Sequence, residues 1–344
     1  MHALSRRKML ATLAGSVALS HSAWGQTSSP AQAGSGAGPS AKNSVRLVLL
    51  GTLGGPNIQP DRAQSSNLLV VNGEPYLIDC GYGMLRQLSR IGFGAPDIGH
   101  VFITHQHDDH NAELGTLLGL SWTLGRHTPV EVYGPTGLNA MVHGFAEYFE
   151  PNAEIRTADE GRKVDTSHIV NAHELTAPGF VYQDANVRVT SAKNTHYTDT
   201  IPALAKQLSL AYRFDTADRS IVFSGDTSYS AELAQLARGA DVLVHEVINL
   251  EGLDATVVKR WAKVMPPDEL KSVMRHIIEA HSTPEQVGRV AREAGVKCVV
   301  LNHIVPGPVP AIGLTEQSYI DAVRKEFKGT VIYGHDMQEV PMPA

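Results

Sequence analysis

Cysteine is nearly absent, with two in 344 residues. Cys80 (in YLIDCG) and Cys298 (in VKCVV) both lie in apolar runs, so each reads as a small core residue and no disulfide framework is predicted. No apolar run reaches the roughly 18 residues needed to cross a bilayer, so no membrane span is predicted. The glycines after the first apolar run, Gly51, Gly54 and Gly55, are not followed by Gly-Lys-Ser/Thr, which excludes a phosphate-cradling P-loop. No short-period repeat is present, and beyond the N-terminus no run of Lys and Arg stands out. A formal charge of −6 and the lack of a basic run disfavour binding to long RNA or DNA.

What is present is ordinary globular composition, 42% hydrophobic and 19% charged. The first 33 residues read as an export signal: Ser5-Arg6-Arg7-Lys8 precedes a weakly apolar stretch, Met9 to Ser20, and then small residues. The paired arginines resemble the twin-arginine type, which carries folded cargo, so a periplasmic or secreted location is expected. The segment contains Arg6, Arg7 and Lys8 and no acid, so its removal takes the charge from −6 to −9. Residues 34–44 read as a flexible leader, and 45–340 as a single domain.

The stretch that organises this domain is residues 101–110, VFITHQHDDH. An apolar strand ends and three histidines and two carboxylates follow at once, the usual nitrogen and oxygen ligands of a zinc-type ion. His105 and His107 are two apart, so in an extended segment both rings point the same way. Asp109 and His110 follow where the chain enters a helix and can turn toward a second ion. The same grammar recurs, with an apolar strand delivering His196, Asp226, Glu246 and His303 at its tip. Strands alternate with helices, which predicts an α/β fold of sheets covered by helices. Helices are expected at 84–91, 111–124, 137–149, 230–238 and 285–294, and residues 151–185 carry no clear periodicity. Residues 247–280 read as a helical insertion after Glu246, either a lid over the site or a packing or oligomer contact that leaves room for a homodimer. His100, His127, His143, His168, His173, His276 and His335 lack motif context and are expected to be ordinary surface or core residues; His245 is expected to be structural and Asp108 solvated.

The series His105-x-His107-x-Asp109-His110, then His196, Ser224-Gly225-Asp226-Thr227 and Leu301-Asn302-His303, resembles the motifs of the metallo-β-lactamase fold. Finer features narrow the resemblance. Leu50-Gly51-Thr52, Leu77-Ile78-Asp79-Cys80-Gly81, Tyr133-Gly134-Pro135, His245-Glu246 and His281-Ser282-Thr283 resemble its ribonuclease Z and arylsulfatase-like branch, and HSTPEQVG and LNHIVP its exported arylsulfatase-type members. The resemblance implies a four-layer αββα sandwich and two zinc ions, with Mn2+ or Fe2+ as alternatives. It implies His105, His107 and His196 on one ion, Asp109, His110 and His303 on the other, and Asp226 bridging them. A water activated between the ions would be the nucleophile, with Asp109 orienting it. His281 would donate to the attacked oxygen or the leaving group, Glu246 would hold His281 in the right tautomer, and Asp79 would fix a ligand imidazole.

Only residues 197–225 separate His196 from Asp226, where ribonuclease Z proper carries a tRNA-gripping arm. With the acidic charge and the export signal, this favours a small-molecule ester as substrate, a sulfate ester or a phosphodiester, and no long nucleic acid. A lactonase or β-lactamase-type carbonyl hydrolase on the same metals is the alternative, and a non-enzymatic metal- or partner-binding protein a third.

Overall fold

The computed structural model describes residues 44–343, apart from 164, 199, 200 and 205. The export signal and nearly all of the expected leader lie outside the described residues. The strands are β1 (Val45–Gly51), β2 (Ser66–Val71), β3 (Glu74–Ile78), β4 (His100–Phe102), β5 (Val130–Pro135), β6 (Val170–Leu175) and β7 (Gly179–Gln183). They continue with β8 (Arg188–Lys193), β9 (Leu210–Asp215), β10 (Ser220–Phe223), β11 (Val242–Ile248), β12 (Cys298–Val305), β13 (Thr330–Tyr333) and β14 (Gln338–Val340). They form two mixed sheets, ordered β14-β1-β2-β3-β4-β5-β6 and β13-β12-β11-β10-β9-β8-β7. In the first, β14, β1, β2 and β3 pair antiparallel and β3 to β6 parallel. The second repeats that scheme, antiparallel from β7 to β10 and parallel from β10 to β13.

Side-chain alternation builds the layers. Leu47 and Leu49 of β1 face the second sheet, in a core with Tyr76, Phe102, Tyr212, Phe214 and Val300. Val48 and Leu50, one residue out of phase, face helices Met84–Arg90, Leu114–Thr123 and Leu138–Glu160. On the far face of the second sheet, Val222, Leu243 and Val299 pack on helices Ala231–Leu236, Pro284–Ala294 and Glu316–Arg324. Helix, sheet, sheet and helix give the expected α/β sandwich. Cys80 and Cys298 are free and buried, as expected. No helix among the described residues is long and apolar enough to cross a membrane.

Two expected boundaries are corrected, and one stretch without a clear pattern is resolved. The helix expected to stop at residue 149 runs through Pro151 to Glu160 and ends on Gly161, whose φ of 66° takes the left-handed C-terminal position. Residues 151–185, which carried no clear periodicity, hold the end of that helix and β6 and β7. The insertion is helical as expected, over 250–261 with a π-helical turn at Asp254–Val258 and over Pro267–Ala280, but it starts later than expected because Val247 and Ile248 still belong to β11.

Candidate active site

Each candidate ligand is placed by a strand. β4 ends at Phe102, and Thr104-His105 follow as extended chain before the short helix Asp108–Asn111 turns Asp109 and His110 inward. β8 delivers His196 and β10 delivers Asp226. The carboxyl ends of parallel strands are where open α/β sheets place ligands. Gly225 makes the turn into Asp226 at φ 57°, and a Cβ there would stand 2.8 Å from the Leu210 carbonyl oxygen. Glu246 and His303 depart from the strand-tip expectation, since β11 and β12 continue past them to Ile248 and Val305. His303 breaks the β12 register with a φ of 42° that turns it out of the ladder. A non-glycine residue held there is strained, and such strain collects where geometry is functional.

The residues converge as two groups that share Asp226. Ligand atoms of His105, His107, His196 and Asp226 all lie within 4.8 Å of one another, and so do those of Asp109, His110, Asp226 and His303. Nδ1 of His107 and Nε2 of His196 are 3.0 Å apart. Nε2 of His303 lies 3.1 Å from Asp109 Oδ2 and 3.2 Å from Asp226 Oδ2, and Nε2 of His110 is 3.2 Å from Asp226 Oδ1.

These atoms fit divalent cations. Nitrogens around a tetrahedral zinc at about 2.0–2.1 Å stand about 3.3 Å apart, close to the His107–His196 spacing. Nε2 of His105 is buried without a hydrogen-bond partner among the described residues, and the 3.2 Å approach of His110 Nε2 to Asp226 Oδ1 lacks good hydrogen-bond geometry. A buried polar atom left so is costly unless something else satisfies it. The outer ring atoms are tied: His105 Nδ1 lies 3.1 Å from Thr104 Oγ1, and His196 Nδ1 donates to the Ala280 carbonyl at 3.2 Å. Each tie leaves the opposite Nε2 with its lone pair facing the cluster. Burial pushes His105 and His196 well below the usual imidazole range, so both are neutral. Burial opposes the charge on Asp226, but His303, His110 and His105 outweigh it and hold its carboxyl well below the usual range.

Asp79 supports the second group. Its carboxylate accepts from Thr104 N at 2.8 Å, Thr104 Oγ1 at 3.0 Å and His110 Nδ1 at 2.8 Å. Across the site, Oε1 of Glu246 accepts from His281 Nδ1 at 3.0 Å, Thr227 N at 3.0 Å and Ser282 N at 3.2 Å. Burial alone would lower the pKa of His281, but the Glu246 carboxylate outweighs it and the value rises to about 9. His281 is therefore a cation at neutral pH, with Nε2 left as a donor. His245 points to the opposite face of β11, and its Nδ1 bonds the Glu246 carbonyl at 2.7 Å, a structural role as expected.

His276 is the residue that motif reasoning missed. It sits on helix Pro267–Ala280, and its ring centroid is 5.1 Å from that of His196 and 5.8 Å from those of His107 and His281. Burial, with His281 and His107 beside it, lowers its pKa to about 4. The available signal was its place beside Val273 and Ile277 on one face of a helix otherwise rich in charge.

Residues 75–304 match a family profile described as a beta-lactamase superfamily domain. The chain is 31% identical over 300 residues to ribonuclease Z of Mycobacterium bovis (strain BCG / Pasteur 1173P2), covering 86% of this chain and 98% of that one. It is 29% identical to ribonuclease Z of Mycobacterium tuberculosis (strain H37Rv), with 86% and 97% covered. Among solved structures, the metallo-beta-lactamase fold protein YhfI of Bacillus subtilis superposes with a TM-score of 0.59 at 18% identity, over 86% of this chain and 98% of that one. Human tRNase Z, short form, gives 0.59 at 21% identity, over 87% and 100%.

These relatives overturn the expectation of a small-molecule ester and no long nucleic acid, because the chain spans nearly the whole length of a ribonuclease. The physical error was to read charge along the sequence and as a whole-chain sum. Residues far apart in sequence share a surface, as Arg62, Arg86 and Arg90 do in lining one groove with Asp61 and Glu113, so a whole-chain sum does not report the charge at any one place. Local field at a groove, not net charge, decides contact with a phosphate backbone.

Proposed function

The chain belongs to the metallo-β-lactamase superfamily, and from that premise we propose that it is a two-metal phosphodiesterase that cuts RNA. The observation that carries this reading is the shared Asp226 between two complete ligand groups, with the His281–Glu246 pair beside them. His105, His107 and His196 would hold one zinc-type cation, Asp109, His110 and His303 the other, and Asp226 both. Bound there, the pair supplies Lewis-acid stabilisation of the phosphoryl oxygens and water acidic enough to attack at neutral pH.

The chain's own residues do the rest. Asp109 is held by the Gly55 amide, which donates to its Oδ2 at 2.8 Å, and its carboxylate orients the attacking water by accepting a hydrogen bond from it. His281, protonated and fixed through Nδ1 by Glu246, presents Nε2–H to the leaving oxygen and gives it a proton as the P–O bond breaks. The apolar rim of the same cavity lowers the local dielectric and so strengthens the charge interactions on its floor.

Export through a twin-arginine route is part of the proposal. Arg6-Arg7 and the apolar stretch stand ahead of a fold whose first strand starts at Val45, and that route would pass the metal-loaded protein already folded. The RNA would then be met outside the cytoplasm. Two experiments test this. A fusion of residues 1–44 to a reporter should appear in the periplasm only with the arginines intact. The zinc-reconstituted protein should cleave single-stranded RNA and bis-p-nitrophenyl phosphate and lose both activities to a chelator. Turnover of p-nitrophenyl sulfate, a homoserine lactone or nitrocefin, with neither diester cut, would contradict the reading.

A further inference from the structure

The insertion folds back over the metal ligands and makes the second wall of their cavity. One space of about 260 Å3 has His107, Asp109, Asp226, His281 and His303 on its floor. Its opposite wall is apolar, formed by Leu253, Val257, Trp261, Val273 and Ile277. Val257, Trp261, Val273 and Ile277 are only half-buried, so these side chains face a cavity instead of filling a core. Helix Pro267–Ala280 is amphipathic in the matching sense: Val273 and Ile277 stand one turn apart on the inner face, while Lys271, Arg275 and Glu279 are exposed. Val257 is carried by the π-helical turn Asp254–Val258, a departure from α-helix that often marks a functional site. His276, edge-on to the rings of His196, His107 and His281, ties this helix to the candidate ligands.

Size and chemistry narrow the occupant. About nine waters at ~30 Å3 each would fill the space, which is room for one flat ring system and not for a nucleic-acid duplex. The floor takes a phosphoryl group, and the roof brings the Trp261 indole together with branched aliphatics, the kind of side chain on which unpaired bases stack.

We propose that the insertion forms a nucleobase subsite, in which the base of a nucleotide flanking the scissile phosphodiester stacks on Trp261 between Val257, Val273 and Ile277. The proposal rests on the reading that the site cuts phosphodiesters, and it adds what that reading lacks: selection of an unpaired, base-bearing nucleotide at the cut.

The test uses the zinc-loaded full chain and four ligands: uridine 5′-monophosphate, adenosine 5′-monophosphate, ribose 5-phosphate and hexyl phosphate. Both nucleotides should quench tryptophan emission saturably and bind, by calorimetry, at least about tenfold tighter than ribose 5-phosphate. The quench should vanish in Trp261→Phe, whose ring should keep most of the affinity. Trp261→Ala should weaken nucleotide binding by about ten- to a hundredfold and raise KM for single-stranded RNA with kcat and metal content unchanged. Equal binding of ribose 5-phosphate, tighter binding of hexyl phosphate, or an unchanged KM in Trp261→Ala would each overturn the subsite. If diesters are cut but the base gives no advantage, the subsite falls and the hydrolase reading stands. If nucleotides bind as expected but no diester is cut, the hydrolase reading falls, the subsite at a scissile bond falls with it, and only base stacking on Trp261 remains.

Discussion

Replacing Asp79 with Asn should weaken metal binding without unfolding the chain. Asp79 is 2% exposed and touches no candidate cation directly. It acts through His110, whose Nδ1 lies 2.8 Å from Asp79 Oδ2, while Thr104 N occupies the other oxygen at 2.8 Å. An amide has only one acceptor oxygen. If that oxygen keeps the Thr104 N–H, the amide NH2 faces His110 Nδ1, and the ring must put its proton on Nε2, the atom that faces Asp226 at 3.2 Å. If the amide flips, the Thr104 N–H meets a donor instead. Backbone strain does not confuse the comparison, because Asp79 has a φ of 62° and Asn tolerates that region while Ala does not. Loss of such a supporting partner typically costs ten- to a hundredfold in metal affinity, equivalent to about 1.4–2.7 kcal/mol. Competition with a fluorescent zinc chelator measures it directly. A variant that binds zinc as tightly as the wild type would refute the claim that Asp79 sets the His110 tautomer.

Other substitutions separate the remaining roles. His281→Ala should slow phosphodiester turnover by about 10²- to 10⁴-fold and leave metal content unchanged; loss of metal would show that His281 is a ligand. The His281 acid works while protonated, so activity should decline as pH rises through about 9. Glu246→Gln removes the charge that raises that pKa, and the alkaline limb should move down toward neutral pH, so a limb that stays in place contradicts the pairing. Gly54→Ala would bring a Cβ to 2.5 Å from the His303 ring, and equilibrium dialysis should show weaker retention of metal with little change in thermal stability.

Much of the site was legible because its chemistry is local in the chain. Residues 105–110 supply four of the candidate ligands at the end of one apolar strand, and an extended strand followed by a helix start fixes where each side chain points. Alternating strands and helices gave sheets covered by helices, the four-layer order came from the motif resemblance, and the two out-of-phase apolar faces of β1 show how the layers are built. What could not be read depends on long-range contact. β6 and β7 lie at the outer edges of their sheets and are largely exposed or half-exposed, so they show no clean apolar pattern. Pro151 loses one backbone bond, and the packing of Ala153 against the first sheet's outer core carries the helix through it. His276 becomes part of the site only because its helix folds over the ligands, and the Arg62–Arg86–Arg90 groove exists only in three dimensions. The strand was expected to end before His303, and nothing in LNHIV showed that it would instead continue to Val305 around a left-handed His303.

The central claim is that two cations share Asp226 and that phosphodiester cleavage needs both. Metal-free protein titrated with zinc, with bound ions and bis-p-nitrophenyl phosphate turnover followed on the same samples, tests it most directly. The account predicts binding that saturates at two ions per chain, turnover that tracks the second ion, and loss of both in Asp226→Ala. Saturation at one ion with full turnover, or turnover retained in Asp226→Ala, would contradict it.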